Sequence, residues 1–376
     1  MPREMSSGLS RVMMTADSVG GVWNYALDLA RGFASGEIET ILAILGPSPN
    51  AAQRDQAASI DGLRVIDTSM PLEWTASDPA ALRDTAALLA EITRRLRPDV
   101  IHLNTPALAA DMGHAAPVVA MAHSCLGTWW RTMRGDALPQ DFAWRVAATR
   151  RGLAAADSVI AASQSFATAL RAVYGNGLPV EVVLNGCASP AIETQKHPLI
   201  FTAGRLWDEG KNIELLDRVA AKMEMPIVAA GPLAGPNGAR GDFTHLKLIG
   251  PLSESDIGRW YATASIFASP ARYEPFGLAV LEAARAGAAL VLSDIPTFRE
   301  LWDGAALFCP VDDALAWRDT LEALLAAPQR VRALGRKGQH RAARYSVETT
   351  VRGTLDVYGR ALARKARRPS LLEATP

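Results

Sequence analysis

Short apolar runs alternate with longer amphipathic stretches along almost the whole chain. The first run, Arg11 to Ala16, predicts a strand; Asp17-Ser18-Val19-Gly20-Gly21 predicts a turn, and Val22 to Ser35 a helix. The pattern then predicts strands at Glu39–Leu45, Leu63–Asp67, Val100–Asn104, Val118–Ala122, Ser158–Ala161 and Val180–Leu184, with helices near Pro79–Arg97, Asp141–Ala156 and Ser165–Tyr174. Asn185 to Pro198 is polar, holds Pro190 and Pro198, and reads as a linker. A second set follows. Strands are predicted at Leu199–Ala203, Ile227–Ala230, Leu246–Ile249, Ile266–Ala268, Ala289–Leu292 and Ala306–Phe308. Helices are predicted at Lys211–Met223, Glu254–Ala264, Phe276–Gly287 and Ala314–Ala326, and Gln329–Arg344 and Val347–Arg364 close the chain. Continuous apolar strands alternating with helices imply parallel sheets covered on both faces, an α/β fold. Two such sets predict an N-terminal domain over 1–190 and a C-terminal domain over 196–346.

Composition narrows the classes. A length of 376 residues suits two domains, and a hydrophobic content of 49% supports two cores. Basic and acidic residues balance at 39 each, so net charge offers no case for a nucleic-acid partner. The first lysine is Lys196, so positive charge in the first half is arginine. Three separated cysteines without a Cys-x-x-Cys pair read as buried thiols of a reducing compartment. Residues 1–8 lack the apolar core of a secretion signal, and no uncharged apolar run reaches the length of a membrane helix. The expectation is a cytoplasmic protein. The basic stretch Arg360–Arg368 reads as a solvated helix end, with contact to anionic lipid at the inner membrane face as the alternative.

The candidate chemistry concentrates in Ser269 to Ala283. A buried strand runs into a loop with Pro270 and Pro275 and then into a helix, with Gly277 expected in its first turn. A glycine there lets a ligand approach the backbone, and the free N–H groups of a helix start favour phosphate. Glu274 stands before the helix and Glu282 inside it, the latter roughly 7.5 Å along the axis from Gly277. A second stretch, Gly204-Arg205-Leu206-Trp207-Asp208-Glu209-Gly210-Lys211, follows a predicted strand and supplies two cations. Cations preorganised beside an anionic leaving group stabilise it most in the transition state. His123 stands at the end of a predicted strand, where ligands of open α/β sheets bind, whereas His102 lies mid-strand and reads as packing. The Gly20-Gly21 turn lacks the Gly-x-Gly-x-x-Gly spacing of a dinucleotide fold, but its backbone N–H groups open a helix. Trp23, Tyr25, Trp129 and Trp130, if exposed, offer faces on which a sugar could stack.

The pattern Glu274-x-Phe276-Gly277-Leu278-x-x-x-Glu282-Ala283 resembles the hallmark of the retaining GT-B glycosyltransferases of family 4. Gly204-Arg205-Leu206 followed by a lysine is similar to a second family feature. Many members read Glu-Lys-Gly where this chain reads Glu209-Gly210-Lys211, which moves the lysine by one position. The resemblance implies two Rossmann-like domains facing a central cleft, with the last helix, 347–376, packing back onto the first domain. It implies a hexosyltransferase that moves a sugar from a nucleoside-diphosphate sugar to an acceptor hydroxyl with retention, giving an α-linkage, in bacterial polysaccharide or glycoconjugate synthesis. The acceptor would be a saccharide, a lipid-linked or a small molecule. Catalytic positions would be His123, Arg205, Lys211 and Glu274, with Glu274 on the donor sugar. Donor-binding positions would be Gly20, Gly21, Phe276, Gly277, Leu278 and Glu282, with Glu282 on the ribose. Leu246–Leu252 would border the base, and Glu300 would be structural. In the family's usual route the leaving phosphate oxygen takes the acceptor's proton. No Asp-x-Asp motif or His/Cys cluster occurs, so no metal or other cofactor is expected. A GT-B nucleotide-sugar 2-epimerase and a non-catalytic nucleotide-sugar binder are the alternatives.

Overall fold

The computed structural model describes residues 8–113, 116–187 and 194–367. His114, residues 188–193 of the predicted linker and the chain beyond 367 lie outside the described residues.

Two parallel sheets carry the fold. The first contains β1 (Arg11–Asp17), β2 (Glu39–Leu45), β3 (Leu63–Met70), β4 (Val100–Leu103), β5 (Val118–Ala122), β6 (Ser158–Ala161) and β7 (Val180–Val182), in the order β3-β2-β1-β4-β5-β6-β7. The second contains β8 (His197–Ala203), β9 (Ile227–Ala230), β10 (Lys247–Gly250), β11 (Ala264–Ser269), β12 (Ala289–Ser293) and β13 (Ala306–Cys309), in the order β10-β9-β8-β11-β12-β13. Every pairing between named strands is parallel. The central strands are buried along their full length, as in β4 and β5, because helices cover both faces.

In each sheet the strand order reverses once, between β1 and β4 and between β8 and β11. Helices leave in opposite directions at such a point and open a crevice beyond the carboxyl ends of the strands. The Gly20-Gly21 turn follows β1 and Asn104 follows β4; Arg205 follows β8 and Glu274 follows β11. The topology thus carries the candidate residues of both halves to two crevices.

The helices are α1 (Gly21–Ala34), α2 (Ala51–Ala58), α3 (Pro79–Leu96), α4 (Leu126–Met133), α5 (Gln140–Ala155), α6 (Gln164–Tyr174), α7 (Ile213–Ala220), α8 (Glu254–Thr263), α9 (Leu278–Arg285), α10 (Pro296–Trp302), α11 (Ala314–Leu325), α12 (Pro328–Ala342) and α13 (Val347–Arg367). The last, α13, leaves the second sheet and packs on α1 and β5 of the first, where Tyr358 meets Phe33 at 5.9 Å between ring centres.

Three expectations need correction. The helix expected from Lys211 begins at Ile213, after a 3₁₀ turn over Glu209–Lys211. Asn212 breaks it by adopting a left-handed conformation, φ 54°, and its buried amide donates to the carbonyls of Pro270 and Val311. The strand β8 starts at His197, inside the expected linker. Gly277 precedes α9 as its N-cap rather than sitting in its first turn. Its φ of 95° favours glycine, and any side chain there would be strained and would press on Phe298, whose Cε1 stands 3.2 Å from a Cβ built at this position. The helices α2, α4 and α10, of seven or eight residues each, escaped the pattern because so short a stretch shows little periodicity.

Candidate active site

The two crevices face one another. The Gly20-Gly21 turn of the first sheet lies against the second: a Cβ on Gly20 would stand 3.6 Å from Arg205 Nη1, and one on Gly21 3.2 Å from Leu278 Cδ1. A side chain at Gly21 would press on Leu278, so glycine there helps set how closely the halves approach, whereas Gly20 is in ordinary contact distance of Arg205. Arg205 Nη2 donates to Asp208 at 2.7 Å, its guanidinium lies 5.6 Å from the Trp207 ring centre, and its Nε is buried without a partner. Asp17, at the end of β1, is pushed above the usual carboxylate range by burial, with the nearby Arg205 opposing the rise.

Lys211 Nζ stands 2.5 Å from Glu274 Oε2, in a pair with side chains only 21% and 13% exposed. The one-residue shift of this lysine thus leaves it inside the site. The reason is local: Asn212 turns the chain, and the carbonyl of Gly210 accepts the N–H groups of Arg272 and Tyr273, tying the lysine turn to the loop that carries Glu274. Glu282 lies over one turn into α9. Burial lifts its carboxyl to about 7, the Tyr261 hydroxyl opposes this by hydrogen bonding, and Glu254 and Asp28 raise it further. Glu282, Glu254 and Asp28 line a narrow opening between the halves together with Asn24, Arg31 and Leu278.

His123 follows β5. Its Nε2 lies 2.8 Å from Asn104 Oδ1, and the edge of Tyr25 packs against it at 4.6 Å between ring centres. Burial, then the neighbouring His102, drives its pKa down to about 3, so the ring is neutral at pH 7. His102 is buried, as expected of a mid-strand residue, but it also bonds Asn104 and Tyr358.

Polar contacts span the cleft. Arg134 donates both terminal nitrogens to the Glu209 carboxylate, each at 2.7 Å. Gln56 donates to Glu254 at 2.6 Å, Ser163 to the Pro275 carbonyl at 2.7 Å, and the Tyr273 hydroxyl meets Thr128 at 2.8 Å. Glu300 accepts the N–H groups of Gln164 and Ser165 at 2.8 and 2.6 Å, capping α6 of the opposite half.

The aromatic candidates fare differently. Trp23 and Tyr25 are 2% and 4% exposed and belong to the core behind the glycine turn, so neither offers a face to a sugar. The two lie on different sides of α1: the Trp23 indole donates to Gln56 of α2, and the Tyr25 ring packs on His102 and His123. Trp129 and Trp130 are half-buried beneath Arg134, and Trp129 Nε1 would lie 3.2 Å from a Cβ on Gly210. Phe276 is buried edge-on against Tyr345, so its side chain anchors the loop rather than touching a donor. Sequence reasoning missed Asn104, Asp17, Trp207 and Tyr261. Asn104 and Asp17 carried a signal, a polar residue closing an apolar strand at a crevice; Trp207 and Tyr261 carried none.

Residues 19–188 match the sequence profile described as Glycosyltransferase Family 4, and residues 197–327 the one described as Glycosyl transferases group 1. The chain belongs to glycosyltransferase family 4. The boundary between the matches falls at the start of β8. Among relatives, the chain is 31% identical over 131 residues to a D-inositol 3-phosphate glycosyltransferase of Nocardioides, covering 34% of this chain and 29% of that protein. It is 31% identical over 109 residues to the lipopolysaccharide core biosynthesis mannosyltransferase LpsB of Rhizobium meliloti, covering 28% of this chain and 31% of that one. The chain thus spans less than half the length of the curated relatives it matches first. Among solved structures, a sucrose-phosphate synthase from Thermosynechococcus elongatus superposes with a TM-score of 0.77 at 17% identity, covering 94% of this chain and 100% of that one. HepE of Anabaena, solved with UDP-glucose, superposes at 0.71 and 16% identity, covering 94% and 99%. These likenesses establish the GT-B fold of this family-4 chain.

Proposed function

We propose that this family-4 chain is a retaining glycosyltransferase. It transfers a sugar from a nucleoside-diphosphate sugar to an acceptor hydroxyl and forms an α-linkage. The observation that carries the reading is that Arg205 and Leu278 both stand against the Gly20-Gly21 turn of the opposite half, with Lys211 paired to Glu274 on the neighbouring loop and Glu282 lining one opening with Leu278. A diphosphate held by Arg205 and Lys211 would release Lys211 from Glu274, freeing that carboxylate for the hydroxyls of the donor sugar. Glu282 would take the ribose diol. HepE, which shares the fold, is described with UDP and with UDP-glucose, which supports a nucleotide-sugar donor.

The two cations would do for the leaving diphosphate what a divalent ion does elsewhere, spreading its negative charge as the glycosidic bond breaks. Among the described residues no group of three or more His, Cys, Asp or Glu is placed to hold a metal ion. Likewise, no described helix is long and apolar enough to cross a membrane.

Thermal melting with UDP-, GDP- and ADP-sugars tests the reading, because a ligand of the native state raises its melting point. One donor class should raise it, and incubation with an acceptor panel should yield a product whose anomeric configuration matches the donor's. No shift with any nucleotide sugar, or an inverted product, overturns it; an epimerised donor formed without acceptor favours a 2-epimerase.

A further inference from the structure

A continuous chain of hydrogen bonds runs from the last helix to the cleft. The Tyr358 hydroxyl on α13 lies 2.7 Å from His102 Nδ1, His102 Nε2 lies 3.1 Å from Asn104 Oδ1, and the same oxygen lies 2.8 Å from His123 Nε2. Asn104 also reaches the Thr15 carbonyl at 2.6 Å, and its own N–H donates to Thr15 Oγ1 at 2.9 Å.

These contacts determine every proton position. The Thr15 carbonyl can only accept, so the amide atom beside it must be the Asn104 NH₂ group, and the other terminal atom must be the oxygen. That oxygen can only accept, so His102 and His123 must both carry a proton on Nε2. His102 is fully buried and neutral, so its Nδ1 is an acceptor and the Tyr358 hydroxyl donates to it. The same argument leaves His123 Nδ1 unprotonated. Among the described residues that atom has no hydrogen-bond partner, and it is not among the buried polar atoms left unpaired, so it keeps access to solvent.

We infer that Tyr358, His102 and Asn104 are positioning residues that hold His123 in its neutral Nε2–H tautomer, so that the site presents Nδ1 solely as an acceptor for a sugar hydroxyl. Tyr358 acts through His102 and Asn104, and so α13, which starts from the second half of the chain, takes part in setting the first half's ligand contact. His123 in this state has no proton to give toward the cleft and cannot serve as the acid that releases a leaving group. The assignment of the ligand rests on the glycosyltransferase reading; the relay does not.

Long-range proton–nitrogen NMR correlations of the histidine rings in the full chain test the relay, with His123→Gln giving the assignment. At pH 7 the wild type should show His102 and His123 protonated on Nε2 and bare on Nδ1. A protonated Nδ1 on His123, or a doubly protonated ring, overturns the relay. Tyr358→Phe, which keeps the buried ring and removes only the hydroxyl, should leave the melting cooperative and shift the His123 nitrogens; unchanged nitrogens refute a role for Tyr358. Calorimetric titration tests the ligand. Asn104→Ala should weaken binding of the nucleotide sugar about tenfold while the bare nucleoside diphosphate binds as before. Equal loss for both ligands, or no loss for either, overturns the assignment of a sugar hydroxyl to Nδ1. If the wild type binds no nucleotide sugar at all, the ligand assignment falls with the proposed function, and the tautomer result still decides the relay.

Discussion

The carboxyl of Glu282 makes donor affinity a function of pH. In the empty site burial holds it at about 7 against an ordinary 4.5. At about 1.4 kcal/mol per tenfold, that favours the neutral form by about 3 kcal/mol, and residual solvent access brings this to about 1–3 kcal/mol. The ribose diol donates two hydroxyl protons and is best met by the ionised carboxylate, so donor binding must remove the proton. Between pH 7.5 and 5.5 the fraction already ionised falls about 25-fold, and the affinity for the nucleotide sugar should fall by about the same factor. The nucleotide sugar is the right probe, because its diphosphate is esterified at both ends and does not titrate in this window. His102 and His123, at about 4 and 3, stay neutral throughout. The same shift affects stability with a definite sign. Below pH 4.5 the carboxyl is protonated in both folded and unfolded chains and contributes nothing. As pH rises from 4.5 through 7 the unfolded chain releases the proton first, so the folded state is progressively penalised. Glu282→Gln should therefore be about 1–3 kcal/mol more stable than the wild type at pH 8 and no more stable at pH 4. Glu73, also lifted to about 7 by burial, is common to both proteins and cancels in the difference. Calorimetric titration across pH with wild type and Glu282→Gln, beside denaturant melts at the two pH values, makes the measurement. An affinity that is flat or improves as pH falls, or a variant less stable at pH 8, refutes an ionised Glu282 on the ribose.

Three further outcomes are expected. Arg205→Ala should lower kcat by about 10²-fold, as for loss of an oxyanion donor, and Lys211→Ala should also lower it, since Nζ sits on Glu274 within the site; steady-state rates showing a raised KM with kcat intact would mean that the cations bind ground and transition states alike. Glu274→Gln should cut kcat while the bare nucleoside diphosphate binds almost as before, because the sugar but not the nucleotide gains charge in the transition state; titration showing a nucleotide loss as large as that of Glu282→Gln would end this division of roles. Activity should survive excess EDTA, and its complete loss, restored by Mn²⁺ or Mg²⁺, would sink a mechanism carried by Arg205 and Lys211 alone.

Much of this protein was legible in the order of its residues. Continuous apolar runs separated by amphipathic stretches determined two parallel sheets, because a strand buried on both faces must be apolar throughout and a covering helix need be so on one side only. Glu274, Gly277 and Glu282 lie within nine positions on one strand–loop–helix unit, so their mutual placement is local and could be read directly. What depended on distant contacts could not. Whether Trp23, Tyr25 and Phe276 face a ligand or a core turned on which surface the neighbouring sheet and α12–α13 segment cover, and all three proved buried. Lys211 looked displaced by one residue; only the left-handed Asn212 and its bonds to Pro270 and Val311 return it to Glu274. The protonation of His123 turns on Thr15, Asn104, His102 and Tyr358, which are spread over more than three hundred positions. A hydrogen bond is decided by distances of a few tenths of an ångström, and for residues so far apart in the chain only the packed fold sets them.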